Sequence, residues 1–298
     1  MTFVLTLIAG MNSPALDHSI ADQARAALAE CGADGGAPDW LAPGAACDIP
    51  FTGASSNAAQ TAVRSRLGAR PIDLAAQAAT GRRKRLFVAD MDSTMITGES
   101  LDELAAYAGK KDEVAALTAR AMNGEIDYRS SLRARVSMLK GLTLAAMEEV
   151  AARIEPTSGA RTLVQTMRAH GTHTLLVTSG FRFFSSRVRD ALGFDGDVSN
   201  ELEMDGDRMT GVVREPILNR DGKRETLERA AAERGIPLEA ALAVGDGAND
   251  LDMLARAGLG VAFRAKPVVA AAAKARVDHA DLTALLYLQG YRRDEFAA

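Results

Sequence analysis

The sequence predicts an α/β fold: a doubly wound, Rossmann-like parallel sheet, preceded by a small α+β module. Three observations carry this expectation. Short apolar runs recur at 86–90, 174–179, 241–246 and 258–263. Runs of this kind, without polar alternation, mark strands buried on both faces. Helical stretches separate them at 158–170, 181–192, 224–234 and 250–257, and such alternation builds βαβ units. Three of the runs close on the polar residues Asp90, Ser179 and Asp246. Ligands in such sheets bind beyond the carboxyl ends of the strands.

Residues 1–80 are expected to form the first domain. An apolar strand over 2–9 leads to a helix starting near Asp17, striped by Ile20, Ala24 and Leu28 and stopped by Gly32. Gly and Pro crowd 32–44, a strand is expected around 46–51, and a helix runs from Ser55 or Ser56 to Leu67. Residues 70–85 read as a connection, and the basic run Arg82, Arg83, Lys84, Arg85 reads as solvated linker. The second domain, 81–298, opens with the strand at 86–90. Between Glu99 and about Ile154 everything reads as helix, long enough for a four-helix cap; Leu132, Val136 and Leu139 make one apolar stripe. Residues 198–213 resemble a small β-hairpin flap with Asp205-Gly206 as its turn.

Composition narrows the function. At roughly 100–200 residues per domain, 298 residues suggest two domains. Hydrophobic residues at 47% and charged residues at 25% are ordinary for a globular chain. The net charge of −4 argues against nucleic acid, whose binders carry a basic stripe. No run of ~18 apolar residues suggests a membrane span. The apolar start lacks the positive flank and cleavage site of a signal peptide. Cys31 and Cys47 stand without CxxC spacing, so neither a disulfide framework nor a zinc site is expected, and the reading is cytoplasmic. A homo-oligomer stays open.

The chemistry gathers at the strand ends. Asp90-Met91-Asp92-Ser93-Thr94 closes the first strand of the second domain with two carboxylates. One suits a nucleophile and metal ligand, the other a general acid and base; carboxylate nucleophiles forming aspartyl-phosphate are a known solution to phosphoryl transfer. A loop cap would explain a single DxD equally well. Gly245-Asp246-Gly247-Ala248-Asn249-Asp250 crowds polar side chains between a strand and a helix. A hard cation such as Mg²⁺ takes oxygen ligands of this sort. Helix capping accounts for Asn249 or Asp250, but not for Asp246 ending a buried strand. Ser179-Gly180 precedes a helix, whose N-terminus can hold phosphate oxygens. Lys223, just ahead of the helix at 224–234, would offset phosphate charge if the fold brings it there.

In order, DxDST, SG, K and GDGxND resemble the four motifs of the haloacid dehalogenase superfamily of phosphohydrolases, over residues 86 to about 285. Asp92 favours the phosphatases, because the dehalogenase branch lacks this second acid. The resemblance is specific. FVADMDSTMITGESL (87–101), GEIDYRSSLRARVSMLKGL (124–142) and VTSGF (177–181) are similar to the phosphoserine phosphatase family, and the first domain resembles its ACT-like extension. The resemblance implies hydrolysis of O-phospho-L-serine to L-serine and phosphate, the last step of serine biosynthesis. It implies Asp90 as nucleophile, Asp92 as general acid and base, and Mg²⁺ on Asp90, Asp246 and the carbonyl of Asp92. Ser179, Gly180, Lys223 and Asn249 would hold the phosphate, with Asp250 behind them. Glu99 would bind the ammonium and Arg135 the carboxylate, a pairing that suits a zwitterion. By themselves Glu99 is a helix-start acid and Arg135 one of three arginines on a wet face. Tyr128 stands where many members have Phe; it would cover the substrate or pack in the core. Two rivals remain: a phosphotransferase or phosphomonoesterase for another small substrate, and a catalytically idle amino-acid-sensing regulator.

Overall fold

The computed structural model describes residues 1–122 and 125–297. In the first module, β1 (Phe3–Ala9) is followed by α1 (His18–Glu30). The helix starts where Asp17 accepts a hydrogen bond from the Ile20 amide at 2.9 Å, the usual aspartate cap. The short strands β2 (Asp34–Gly35) and β3 (Asp39–Ala42) both pair antiparallel with β4 (Ala46–Thr52). Next come α2 (Ser56–Leu67), capped by Ser55, and β5 (Ile72–Ala78). β1 lies between β4 and β5, antiparallel to both. Leu5, Leu7, Ile49, Phe51 and Leu74 pack against Ala24, Leu28, Ala59 and Val63 to form this module's core.

The connection expected over 70–85 is therefore wrong in its first half. The β5 sequence IDLAAQA is alanine-rich, and alanine is depleted in strands. It becomes a strand because β1 offers it a free edge. The short strands β2 and β3 were hidden in the Gly- and Pro-rich tract for the same reason.

The second module starts with β6 (Leu86–Ala89). Four helices follow: α3 (Ser100–Tyr107), α4 (Lys111–Met122), α5 (Tyr128–Ser137) and α6 (Leu144–Ala151). Leu132, Val136 and Leu139 are buried among them. Gly124, the first residue of the 124–142 motif, lies outside the described residues. The chain continues through α7 (Ala160–Ala169), β7 (His173–Phe181), α8 (Arg182–Leu192), β8 (Gly196–Asn200), β9 (Leu202–Asp205) and β10 (Arg208–Val213). It ends with α9 (Arg220–Glu233), β11 (Ala241–Gly245), α10 (Leu251–Arg256), β12 (Leu259–Phe263), α11 (Pro267–Ala272), β13 (Ala275–Val277) and α12 (Ala284–Leu288).

The main sheet has the order β13-β12-β11-β6-β7-β8 among the described residues, and its pairs are parallel. Counted from β6, this is the 3-2-1-4-5-6 order of doubly wound sheets. The order reverses between β6 and β11, so a crevice opens at their carboxyl ends. Two boundaries differ from the sequence reading. β8 belongs to this sheet, and the hairpin is β9–β10 alone, with Gly206 and Asp207 between the paired Asp205 and Arg208. The α9 helix begins a turn earlier than expected: Asp221-Gly222 looks like a turn, yet Asn219 caps the helix by accepting from the Gly222 amide at 3.1 Å. Lys223 thus sits inside the helix, not ahead of it.

The basic run is a solvated linker only in part: Arg83 and Arg85 are exposed, whereas Arg82 and Lys84 turn inward. Arg82 donates to Asp48 (2.5 Å), to the Thr6 hydroxyl (3.0 Å) and to the carbonyls of Tyr287 (3.0 Å) and Leu288 (3.2 Å). Lys84 Nζ is shared between the carbonyls of Gly81 and Glu239. Asp73 of β5 accepts from the amides of Asp278, His279 and Ala280 in the second module. Arg82 is thus the polar bolt between the modules, and removing one partner strands a buried charge. Arg82→Ala is expected to destabilise the chain by about 3–5 kcal/mol. Urea denaturation checks this; an unchanged midpoint would mean that Asp48 needs no counter-charge.

Candidate active site

The site is assembled at the crevice between β6 and β11. Asp90 follows β6 directly, and its amide donates to the Val244 carbonyl of β11 at 3.0 Å. Its Oδ1 lies 2.5 Å from Lys223 Nζ, whose second partner is Asp250 Oδ1 at 2.7 Å. Asp250 Oδ2 accepts from the Gly247 amide at 3.0 Å, so both its oxygens are engaged. Gly245 must be glycine here: a Cβ would come within 2.4 Å of the Asp250 carboxyl carbon. Lys223 and Asp250 are wholly buried. Asp246 stands beside them, with the Thr94 hydroxyl 3.3 Å from its Oδ1.

The charges do not balance. One lysine faces three carboxylates, and one oxygen from each of Asp90, Asp246 and Asp250 lies within 4.8 Å of the others. Burial, then Asp250, pushes the Asp90 carboxyl well above its usual range against the pull of Lys223. The same two causes raise Asp246 to about 6. Lys223 goes up despite its burial, because Asp250 and Asp90 hold its charge. Such a set of crowded hard oxygens suits a divalent cation, which would take up the surplus negative charge.

Asp92 is treated differently. Burial raises its carboxyl, opposed by hydrogen bonds from Ser100 and Thr178. Its Oδ1 accepts from the Ser100 amide at 2.7 Å and its Oδ2 from the Thr178 hydroxyl at 3.2 Å. Asp92 is thus oriented from two sides by hydrogen bonds rather than by a cation. Two acids two residues apart receive different environments, as acid–base chemistry requires. The turn that separates them is strained: Ser93 has φ +55°, uncommon for a residue with a Cβ. Ser93 spends that conformation on Glu99, donating to its Oε1 at 2.6 Å. Glu99 stands at the open rim, yet its carboxyl leans among acids; the surrounding protein first, then Asp92, raise it to about 7.

From β7 come Ser179 and Gly180. The Ser179 hydroxyl is buried without a hydrogen-bond partner. The Gly180 amide donates to Thr178 Oγ1 at 2.8 Å, and a Cβ at Gly180 would come within 2.8 Å of Asp92 Oδ2. Tyr128 on α5 reaches over this region: burial raises its phenol, against the influence of Ser179, Arg135 and Lys223. The Tyr128 and Ser179 hydroxyls are neighbours without forming a regular hydrogen bond. Asn249 Oδ1 occupies the space where a Gly247 Cβ would lie. Arg135 remains among the helices, 3.3 Å from the Thr118 hydroxyl and 3.4 Å from the Ser131 carbonyl. No ion pair joins it to Glu99 among the described residues. Two surface hollows, about 580 and 550 Å³, are lined by none of these acids.

Asp90, Asp92, Asp246, Asp250, Lys223, Ser179 and Gly180 therefore share one crevice, with Glu99 and Tyr128 at its rim. The sequence reading left three side chains without a role: Ser93, Thr94 and Thr178. Thr94 lay inside the quoted motif, and Thr178 is the last polar residue before Ser179, so position alone could have flagged them. Their jobs, orienting Glu99, Asp246 and Asp92, are visible only in three dimensions.

Comparisons with known proteins agree with this geometry. The model of the haloacid dehalogenase-like hydrolase family matches residues 87–255. The phosphoserine phosphatase of Streptomyces coelicolor is 43% identical over 86% of this chain, which spans 63% of that protein's length. The phosphoserine phosphatase of Polaromonas is 46% identical over 68% of this chain and 89% of its own. Among solved structures, a hydrolase of the same family from Salmonella enterica serovar Typhi superposes with a TM-score of 0.85, at 27% identity, over 96% of this chain and 98% of that one. With the family model covering more than half of its residues, and two acids, a lysine and a buried serine converging where the sheet order reverses, the chain belongs to the haloacid dehalogenase-like hydrolase family.

Proposed function

We propose that this chain is a phosphoserine phosphatase that hydrolyses O-phospho-L-serine through an aspartyl-phosphate on Asp90. The observation that carries the reading is the contrast between Asp90 and Asp92. Asp90 is clamped through Oδ1 by a buried lysine, while Asp92 touches no cation and is oriented by the Ser100 amide and the Thr178 hydroxyl, as a proton carrier would be. The relatives named phosphoserine phosphatase supply the substrate class. The donor set fits Mg²⁺: the carboxylates of Asp90 and Asp246, with the Asp92 carbonyl, would hold it. When bound, the cation supplies positive charge against phosphate and the crowded acids.

The chain's own residues perform the steps. The unclamped oxygen of Asp90 attacks phosphorus in line, and the bond from phosphorus to the serine oxygen breaks. Asp92, protonated, passes its proton to that oxygen. As carboxylate it then accepts a proton from the water that attacks phosphorus and frees Asp90. The Ser179 hydroxyl, having no partner in the protein, is available to a phosphoryl oxygen. Lys223 offers charge to the same group, and the Gly180 amide joins once it gives up Thr178. Asn249 helps position the phosphoryl group, and Asp250 orients Lys223. Glu99 takes the ammonium and Arg135 the carboxylate, with Tyr128 covering the phosphoryl side. This requires Arg135 to exchange Thr118 for substrate as the four helices close as a cap and exclude water.

The rest of the molecule is read with the same logic. The strand and helix order of residues 1–80, with β1 central in an antiparallel sheet, has the split βαβ plan expected of an ACT-like module. Residues 81–298 are the catalytic domain, with the cap at about 99–154 and β9–β10 as the flap. We place the enzyme in the cytoplasm, acting on a small molecule and on neither nucleic acid nor membrane. Among the described residues no helix is long and apolar enough to cross a membrane.

Phosphate release from O-phospho-L-serine is expected to require Mg²⁺ and to stop in EDTA. Asp90→Asn should abolish turnover, and Asp92→Asn should lower kcat by about 10²–10⁴-fold, the range of a lost general acid. Turnover at the wild-type rate by Asp90→Asn would sink the mechanism. Arg135→Ala should cost roughly 1.5–3 kcal/mol in kcat/KM for phosphoserine, as for a lost hydrogen bond to a charged group, and far less for a phosphoester without a carboxylate. Equal losses on both esters would discard the zwitterion reading. Lys223→Ala leaves Asp90 and Asp250 buried together without a cation; in metal-free buffer it should destabilise the fold by about 3–5 kcal/mol, read as a shifted urea midpoint.

A further inference from the structure

The β7–β8 pair has one break in register. Val177 faces Val198, and the next matched pair is Phe181 with Asn200. Three residues, Thr178, Ser179 and Gly180, therefore stand opposite Ser199 alone. Bulges of this kind re-aim side chains beside active sites, and they leave backbone groups without ladder partners. A buried carbonyl without a donor is costly, so each one needs an account. The Ser179 carbonyl finds its donor in a side chain: Asn200 Nδ2, at 2.8 Å.

The other end of that amide is equally engaged. Asn200 Oδ1 accepts from the Leu218 amide at 2.6 Å, and Nδ2 also reaches the Leu218 carbonyl at 3.4 Å. Leu218 immediately precedes Asn219, the cap of α9, and Lys223 lies in the first turn of that helix. Asn200 is only 1% exposed. It is the last residue of β8, and the Arg214 amide donates to the carbonyl of the next residue, Glu201, at 2.9 Å. The hairpin base is thus closed just beyond the Asn200 amide, and the two segments it ties enter the crevice from opposite sides.

We infer that Asn200 is a positioning residue: its side-chain amide spaces the Ser179 loop from the start of α9, and so sets the Ser179 hydroxyl against Lys223. The inference rests on the proposed reading only in taking those two groups as the phosphoryl holders. A planar amide with a donor at one end and an acceptor at the other is suited to this spacing. Leucine has nearly the same shape but neither function. Aspartate keeps the acceptor for Leu218 and places a second oxygen against the Ser179 carbonyl. Productive geometry tolerates little slack, and misplacement of about 1 Å can cost 10²-fold. Asn200 touches no reacting atom; it acts through the two residues it ties.

The test compares wild type with Asn200→Leu, Asn200→Asp and the milder Asn200→Ser. Binding of inorganic phosphate is measured by calorimetry in the presence of Mg²⁺, kcat and KM with O-phospho-L-serine, and inhibition by L-serine alongside. In the Leu and Asp variants, phosphate affinity and kcat are each expected to fall about tenfold or more, as for one buried hydrogen bond misplaced. L-serine inhibition should stay within about twofold, because Glu99 and Arg135 lie outside the clamp. The Ser variant, able to make one of the two bonds, should fall between. Folded variants with wild-type phosphate affinity and kcat would overturn the inference. So would equal losses for phosphate and L-serine, or failure of all three variants to fold, either of which makes Asn200 merely structural. A wild-type chain that binds phosphate without hydrolysing phosphoserine refutes the substrate reading alone, and the comparison of phosphate affinities still decides the role of Asn200. A wild-type chain that binds no phosphate overturns both.

Discussion

Everything at the crevice depends on Lys223 standing wholly buried between Asp90 and Asp250. A bare ammonium in a protein interior is prohibitive, and it survives only when paired and hydrogen-bonded. Here the pairing also ties three elements: α9 carries the lysine, β6 ends on Asp90, and the turn after β11 supplies Asp250. The ion cluster is therefore the joint between these elements as well as the centre of the candidate site. Its stoichiometry is unbalanced, because Asp246 adds a carboxylate whose rise from burial and Asp250 is only partly offset by Lys266 and Lys223. A site with one cation and three anions is poised to accept more positive charge. A structural ion pair would have been neutral, and would not need glycine at 245 to let Asp250 approach.

The sheet order explains why these residues meet. β6 and β11 are neighbours, although some 150 residues separate Asp90 from Asp246, because the order reverses between them. Helices leaving in opposite directions from the two strands cannot fill the crevice, and polar strand ends are left facing it. The helices at 100–151 arise from the loop that follows β6, so they enter directly above the nucleophile candidate. The β9–β10 hairpin is stitched to them by backbone hydrogen bonds: Gly141 N to Met209 O, Met209 N to Leu142 O, and Leu144 N to Asp207 O. Helices and hairpin are thus joined into one unit. Its lower edge is fixed to the core by the bridge between Ile96 and Pro156.

Much of this was legible in the sequence where a local rule and the tertiary structure agree. Continuous apolar runs marked β6, β7, β11 and β12, because burial on both faces demands that composition. Polar residues at their ends marked the crevice. The unreadable parts are those where tertiary context overrides local preference. β5 and the tip strands β2 and β3 have weak strand composition and exist because an edge was free. The start of α9 was misplaced because Gly222 resembles a turn until Asn219 is seen capping it. Arg82 and Lys84 looked like surface because a run of like charges usually is; nothing in the run announces that Asp48 and a cluster of carbonyls await it. Roles that depend on a partner far away in the chain, such as Thr94 for Asp246 or Asn200 for Leu218, leave no mark on either segment alone.

Two of the places where the chain breaks its own local rules fall at this site. Ser93 takes a left-handed backbone conformation beside Asp92, and β7 carries a bulge through Thr178, Ser179 and Gly180. Sequence-consistent folds are expected to depart from local preference mainly where function demands it. Each departure is answered by a named hydrogen bond: Ser93 to Glu99, Thr178 to Asp92, Asn200 to the Ser179 carbonyl. Two hydroxyls at the site, those of Ser100 and Ser179, are left buried without a hydrogen-bond partner. Ser179 stands in the bulge itself, and the proposed reading gives its hydroxyl to a phosphoryl oxygen, for which a buried, unfilled donor is suited.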